Sequence, residues 1–224
     1  MKRVLILGTG MVARPLVHFL LDQPDVILDV ASLDLDKAKT LIKNHARGYA
    51  ILLNVDDYNK VGELVAKADL VVSLLPYTLH VKIANLCLKH RAHLVTTSYV
   101  SDEMRALDEK AKTAGLLFLN EMGLDPGIDH MSAMKIINDV KKTGGKIISF
   151  ESYCGGLPAP EANDNPFGYK FSWSPRGVVM AGRNAAQFSK NGKKVNISGQ
   201  NLFENHWPKN VETLGELEFY PNRD

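Results

Sequence analysis

A regular alternation of short apolar runs and amphipathic segments, from the N-terminus to Asn120, is the feature that most constrains the fold. Val12, Leu16, Phe19 and Leu20 show the helical spacing of the segments between the runs. The runs are nearly continuous in Val, Leu and Ile, as in strands buried on both faces of a parallel sheet. They are Val4–Leu7, Val26–Ala31, Ala50–Leu53, Leu70–Leu75, His93–Thr97 and Leu116–Leu119. Six strands alternating with helices predict a doubly wound α/β domain.

A glycine-rich turn joins the first predicted strand to the first predicted helix, with the sequence Gly8-Thr9-Gly10-Met11-Val12-Ala13. One glycine permits the tight turn, a second lets the backbone approach a diphosphate, and a small third residue lets helix and strand pack closely. The N–H groups and the helix dipole then favour the anion. Because the turn follows a strand and opens a helix, it predicts a Rossmann-type dinucleotide site rather than a simple tight turn.

Two other strand ends complete the predicted cofactor site. Ser32 and Asp34 follow the second strand, where an acidic side chain accepts hydrogen bonds from the ribose and repels a 2′-phosphate. This favours NAD over NADP, although Asp34 could equally cap the next helix. Leu75 and Pro76 follow the fourth strand, at the carboxyl edge that faces a cofactor.

The second part of the chain has a different pattern. Residues 155–176 are rich in Gly, Pro, Asn and Ser, and the runs Ile147–Tyr153, Val178–Ala181, Lys194–Ile197 and Leu217–Tyr220 are predicted as strands. We therefore expect a dinucleotide-binding domain over residues 1–125 and part of an α+β substrate-binding domain over residues 126–224. This second region is short of apolar residues for a core of its own, which predicts a truncated domain.

Composition and charge argue against several classes of function. A net charge of +2 among 224 residues offers no basic surface for nucleic acid or for a membrane. The seven histidines show no metal-ligand spacing, and two distant cysteines favour a reduced protein. We expect a soluble cytoplasmic protein with a small-molecule substrate and no metal, and the sequence allows a homodimer.

Five longer motifs resemble the L-glutamate-forming saccharopine dehydrogenases, or saccharopine reductases, in order along the whole chain. They span residues 96–99, 120–130, 151–160, 169–177 and 220–224; the second reads Asn-Glu-Met-Gly-Leu-Asp-Pro-Gly-Ile-Asp-His. The resemblance implies an NAD(P)-dependent oxidoreductase of lysine metabolism. It would interconvert saccharopine with glutamate and 2-aminoadipate 6-semialdehyde by hydride transfer between a C–N bond and the nicotinamide. Fungal members carry a basic residue after the second strand, where this chain has Ser32-Leu33-Asp34.

The resemblance also implies roles for individual residues. Tyr99, Asp125 and Cys154 would belong to the catalytic centre, with Cys154 as a lining residue. Ser98 would contact both cofactor and substrate. The substrate would also be held by Tyr99, Asp125, Phe171, Ser172, Trp173 and Arg223, whose planar guanidinium suits a carboxylate.

The residues themselves leave plainer interpretations open. Tyr99 could fill an interface, Trp173 could belong to a core, and Asp125 could cap a helix that has Pro126 at its first position. Two other functions also stay open. One is a carboxynorspermidine-type imine dehydrogenase, and the other is a catalytically silent dinucleotide-binding module.

Overall fold

The computed structural model describes residues 1–222, and the chain divides into two compact units. Unit 1 is Met1–Cys154 and unit 2 is Gly155–Asp224. The predicted domain boundary at residue 125 is a different division, because unit 1 also contains the long helix that follows residue 127. That boundary stays a prediction. None of the helices in residues 1–222 combines the length and apolar character needed to cross a membrane.

Unit 1 is built on a six-stranded parallel sheet with the order β3-β2-β1-β4-β5-β6. Its strands are β1 Lys2–Leu7, β2 Val26–Ser32, β3 Gly48–Leu52, β4 Leu70–Ser73, β5 His93–Thr96 and β6 Phe118–Leu119. From β1 the chain continues through β2 to β3 on one side of the sheet, and β4 then pairs with β1 on its other side. Doubly wound sheets open a crevice for a ligand at such a reversal of direction. The predicted doubly wound α/β fold is confirmed, and all six predicted strands occur with small shifts of their ends.

The helices of unit 1 connect these strands. They are α1 Ala13–Leu21, α2 Leu35–Ile42, α3 Tyr58–Val65, α4 His80–His90, α5 Asp102–Arg105, α6 Asp108–Thr113 and α7 Ile128–Lys142. Side-chain caps mark several of their starts: Asp57 accepts the backbone N–H of Lys60 at 3.1 Å, and Ser101 accepts that of Met104 at 3.2 Å. Such caps satisfy N–H groups that have no partner within the helix.

The core of unit 1 lies on both faces of the sheet, because successive side chains of β1 point in opposite directions. Leu5 and Leu7 pack in a cluster with residues of α3 and α4, whereas Val4 and Ile6 pack in a second cluster with residues of α1 and α2. Each fully buried side chain of this kind contributes about 1.5–3 kcal/mol through removal of apolar surface from water. The central strand therefore supports helices on both sides.

The described residues of unit 2 include two antiparallel pairs of strands and one α-helix. They are α8 Pro175–Ala181, β7 Ala186–Lys190, β8 Lys193–Ile197, β9 Trp207–Val211 and β10 Gly215–Phe219. The predicted strands Lys194–Ile197 and Leu217–Tyr220 correspond to β8 and β10, and their partners β7 and β9 were not predicted. The helix and the antiparallel pairs agree with the α+β fold predicted for this part of the chain.

Two predicted strands are wrong. Val178–Ala181 lies in α8, because Ser174 caps that helix through the N–H of Gly177 at 3.1 Å and Pro175 occupies its first turn. Ile147–Tyr153 forms no strand, and Ile148 in this run is 92% exposed. A strand satisfies its N–H and C=O groups in a β-ladder, and no β-ladder among the described residues includes this run.

Candidate active site

The glycine turn begins where β1 ends. The Gly8 N–H donates to the carbonyl of Ala31 at 2.9 Å, and its φ of +108° favours glycine. A Cβ atom at Gly8 would also lie 3.2 Å from the carbonyl oxygen of Leu74. A Cβ atom at Gly10, by contrast, would meet nothing within 4 Å. Gly8 is therefore required by the fold, whereas the open space at Gly10 is room for a ligand.

Helix α1 begins directly after this turn and differs from the two helices that follow it. Asp34 and Asp57 cap α2 and α3, but Val12 at the N-cap of α1 supplies no capping side chain. Ala13 donates its N–H to the carbonyl of Gly10 at 3.1 Å and Pro15 has no N–H, so the N–H of Arg14 is the group in this first turn that can meet an anion such as a diphosphate. Ala13 is fully buried, as close packing of helix and strand requires, and Met11 and Val12 are exposed. These features fit a dinucleotide.

Ser32 and Asp34 connect the end of β2 to the glycine turn. The hydroxyl groups of Ser32 and Thr9 are 2.7 Å apart, and Ser32 also accepts the N–H of Asp34 at 3.0 Å. Asp34 caps α2 by accepting the N–H of Lys37 at 3.0 Å, and its second oxygen is 3.3 Å from Lys37 Nζ. The hydrogen bond from the Lys37 N–H lowers the pKa of the Asp34 carboxyl. The capping role is thus present, and the contact with ribose stays a prediction.

The ends of β4 and β5 carry a hydrogen-bonded triplet that the sequence analysis missed. Ser73 ends β4, Ser98 follows β5, and His80 at the start of α4 lies between them. His80 Nδ1 is 3.0 Å from Ser73 Oγ, and its Nε2 is 2.9 Å from Ser98 Oγ. The available signal was a histidine soon after Pro76, at the carboxyl edge where Leu75 also lies.

Tyr99 and Asp125 are brought together at the same edge. The Tyr99 hydroxyl donates to Asp125 Oδ1 at 2.8 Å, across 26 residues of sequence. The two loops that carry them are joined by further bonds: the N–H of Glu121 donates to the carbonyl of Ser98 at 3.1 Å, and Glu121 Oε1 accepts the N–H of Val100 at 3.1 Å. The geometry places a phenol and a carboxylate side by side near Ser98.

Asp125 does not cap a helix, so the plainer interpretation left open for it is wrong. Helix α7 begins at Ile128, its N-cap is Gly127, and the Asp125–Pro126 peptide bond is cis. Asp129 rather than Asp125 accepts the N–H of Gly127, at 2.7 Å. The helix thus begins three residues after Asp125, whose carboxylate accepts the hydroxyl of Tyr99 instead.

The other predicted residues lie at the end of unit 1, in unit 2 or outside the described residues. Cys154, predicted to end a strand, is an exposed residue outside any strand at the end of unit 1. Phe171, Ser172 and Trp173 lie in a loop of unit 2, and the two aromatic rings are 49% and 43% exposed. Arg223 lies outside the described residues. Among residues 1–222, no group of three His, Cys, Asp or Glu side chains is placed to bind a metal.

Comparison with known proteins agrees with this geometry. Residues 4–119 match the family model of the saccharopine dehydrogenase NADP binding domain, and residues 123–224 match that of the saccharopine dehydrogenase C-terminal domain. The first match supports a nicotinamide cofactor, and its contact with the glycine turn stays a prediction.

Individual relatives match over the whole chain. Saccharopine dehydrogenase [NADP(+), L-glutamate-forming] of Pyricularia oryzae is 48% identical over all of this chain and 49% of its own length. Alpha-aminoadipic semialdehyde synthase of Arabidopsis thaliana is 44% identical over 99% of the chain and 23% of its own length.

A solved structure, the apo saccharopine dehydrogenase (L-Glu forming) of Saccharomyces cerevisiae, superposes with a TM-score of 0.85. It shares 42% identity and covers 100% of this chain and 50% of its own. The chain thus spans about half the length of the fungal relatives it matches. On these matches, the chain belongs to the saccharopine dehydrogenase family.

Proposed function

We propose that this chain acts in the oxidation of saccharopine to glutamate and 2-aminoadipate 6-semialdehyde, and in the reverse reaction. The observation that carries the proposal is that this chain matches, over all of its own length, relatives named for this reaction. A bound nicotinamide would supply the acceptor for the hydride that leaves the carbon next to the secondary amine. Water then hydrolyses the resulting imine, which yields the amine of glutamate and the aldehyde.

The described residues suit the needs of this substrate. Saccharopine carries several carboxylates, and Ser98 and Tyr99 offer hydroxyl groups at the edge where a nicotinamide would lie. Asp125 supplies a carboxylate acceptor beside Tyr99, at 2.8 Å. A phenol and a carboxylate in contact can hold or pass a proton as the amine nitrogen changes its charge. The substrate contacts of Phe171, Ser172, Trp173 and Arg223 and the lining role of Cys154 remain part of the proposal.

We further propose NADP as the cofactor, in place of the NAD that Asp34 favoured. The family model and the fungal relatives carry NADP in their names. Both carboxylate oxygens of Asp34 are already engaged by Lys37, one by its N–H and one near its Nζ. Lys37 is 68% exposed, and its place in α2, three residues after Asp34, would let its Nζ meet a 2′-phosphate.

Cofactor preference is tested by binding alone. Dissociation constants of NADPH and NADH are measured by fluorescence for the wild type, Lys37→Gln and the control Lys39→Gln, whose side chain pairs with Asp36. We expect Lys37→Gln to weaken NADPH about tenfold or more, as the loss of one charge-assisted hydrogen bond would. The dissociation constant of NADH for Lys37→Gln, and both dissociation constants for the control variant, should change little. Tighter binding of NADH than NADPH by the wild type would restore the NAD assignment.

Turnover tests the reaction. NADPH formation is followed with saccharopine for the wild type and Tyr99→Phe, with Tyr58→Phe as a control tyrosine in α3. We expect Tyr99→Phe to lower kcat by about 10² or more if the phenol takes part in proton transfer. Turnover of carboxynorspermidine but not of saccharopine would favour the polyamine-type enzyme. Dinucleotide binding with no turnover of either would indicate a silent module.

A cytoplasmic location and a homodimer stay proposals. A bovine relative carries the word mitochondrial in its name, and is 41% identical over all of this chain. Fractionation of cells that express a tagged protein, and the mass of the purified protein in solution, are the measurements that decide them.

A further inference from the structure

His80 occupies an unusual place for an ionisable side chain. It is 4% exposed, it begins α4, and both of its ring nitrogens contact serine hydroxyls on neighbouring strand ends. Ser73, on one side, is fully buried, whereas Ser98, on the other, is only partly buried. The triplet thus runs from the interior of the sheet to the edge where the cofactor and substrate are expected.

Burial leaves His80 neutral. The loss of contact with water lowers the pKa of its imidazole from 6.5 to about 4. A neutral imidazole has one N–H donor and one nitrogen that accepts. The two serine contacts are therefore different in kind: His80 donates to one hydroxyl and accepts from the other.

The burial of Ser73 determines which groups donate and which accept in the hydrogen bonds of the triplet. Among residues 1–222, His80 is the one hydrogen-bond partner of the Ser73 hydroxyl. If His80 Nδ1 donated to Ser73, the hydroxyl hydrogen of Ser73 would be buried with no acceptor, which native structures avoid. Ser73 therefore donates to Nδ1, and the proton of the ring is on Nε2. That N–H then donates to the oxygen of Ser98.

This hydrogen-bond direction determines what the Ser98 hydroxyl can do. Its oxygen accepts from His80, so its own hydrogen is left to point away from the triplet, and its hydroxyl is the partly exposed end of the chain of bonds. A hydroxyl that accepts one hydrogen bond is polarised and becomes a better donor. An apolar residue could fill the same space, but it could not impose a direction on Ser98.

We propose that His80 is a positioning residue that holds the Ser98 hydroxyl as a hydrogen-bond donor toward an acceptor oxygen of the bound ligand. That oxygen belongs either to a carboxylate of the amino-acid substrate or to the carboxamide of the nicotinamide. The inference rests on the proposed function for the identity of these ligands, and on the geometry of the triplet for the role of His80.

A double-mutant cycle tests the coupling. NADPH binding, and saccharopine binding in the presence of NADP, are measured for the wild type, His80→Leu, Ser98→Ala and the double variant. We expect each single variant to bind one of the two ligands about tenfold more weakly, as the loss of a hydrogen bond to a polar ligand group would cause. The double variant should be no weaker than either single variant, because His80 acts through Ser98. The ligand that responds identifies the acceptor oxygen.

A conservative variant and a spectroscopic measurement separate positioning from packing. His80→Gln keeps a side-chain N–H donor near Ser98 and should restore most of the affinity that His80→Leu loses. In the wild type, the nitrogen-15 shifts of the His80 ring at neutral pH should show the proton on Nε2. This measurement needs no variant, so it decides the direction of the triplet even if His80→Leu does not fold.

The outcomes are distinct. A proton on Nδ1, or losses that add in the double variant, would overturn the role of His80 while leaving the proposed reaction intact. The role of His80 would also be overturned if the wild type binds NADPH and saccharopine and every variant binds both ligands with unchanged affinity. If the wild type binds neither ligand, the proposed function fails together with this inference.

Discussion

Unit 1 and unit 2 bury their apolar side chains on very different scales. In unit 1 the buried residues form two clusters on opposite faces of one sheet, and Leu5, Ile6 and Leu7 are fully inaccessible. In unit 2 the buried cluster consists of Ala186, Ile197 and Leu202. The two units also differ in strand pairing, since unit 1 has six hydrogen-bonded strands whereas unit 2 has two separate pairs.

The difference teaches where the stability of this chain lies. An isolated two-stranded pair is marginally stable in water, whereas a parallel sheet covered on both faces buries enough apolar surface to fold cooperatively. The predicted cofactor site is built entirely on unit 1. The loop that carries Trp173, in contrast, belongs to the unit with the smaller core.

The largest expected effect comes from the centre of unit 1. Leu5→Ala should lower the free energy of unfolding by about 2–5 kcal/mol, because it leaves a cavity between β1 and the helices packed on it. Circular dichroism, which reports mainly the helices of unit 1, should register the loss. Both tryptophans, Trp173 and Trp207, lie in unit 2, and their fluorescence transition should stay in place. Coincident shifts of both signals would show that the chain unfolds as one unit.

The second effect is a pH dependence confined to unit 1. The His80 pKa is about 4 in the fold and 6.5 when unfolded, so between these values the unfolded chain binds a proton that the folded chain does not. The free energy of unfolding should therefore fall by up to about 1.4 kcal/mol per unit as pH is lowered from 6.5 to 4, and this contribution should level off below 4. Denaturation across this range is compared with His80→Gln, in which this part of the slope should vanish. Equal slopes in the two proteins would contradict the burial of a neutral imidazole.

A helix cap should have a smaller effect. Asp57→Ala removes the acceptor for the Lys60 N–H at the start of α3 and should lower the free energy of unfolding by about 1 kcal/mol. Asp57→Asn is the matched control, since asparagine also caps helices and should retain most of the stability. A loss of equal size in both variants would mean that charge, and not capping, matters at this position.

An effect of the same order as that of the cap is expected in unit 2. Ile197→Val removes one methylene from its three-residue cluster and should lower the stability of that unit by about 0.5–1.5 kcal/mol. Tryptophan fluorescence should register the change while the dichroism of unit 1 does not. If the dichroism transition moves as well, the two units are energetically coupled and the comparison between them must be revised.

Prediction from sequence succeeded where one local pattern has one structural solution. Continuous apolar runs such as Leu70–Leu75 can hardly be satisfied outside a buried strand, and the turn at Gly8 and Gly10 has few other uses after a strand. It failed where local preferences compete. The two valines at 178 and 179 favour a strand, yet the cap at Ser174 and the proline beside it start a helix. The run Ile147–Tyr153 has the composition of a strand, but no β-ladder among the described residues includes it.

The sequence by itself determined the doubly wound fold, the cofactor turn and the family. Each of these is set by short-range patterns of side-chain volume, polarity and glycine. Tertiary structure decided which polar groups meet, because such contacts join residues far apart in the chain. It set Asp125 against Tyr99, used Asp34 as a cap, and placed His80 between the serines that end two strands. Parallel strands bring their carboxyl ends to one edge, but only the packed helices and loops select the side chains that touch there.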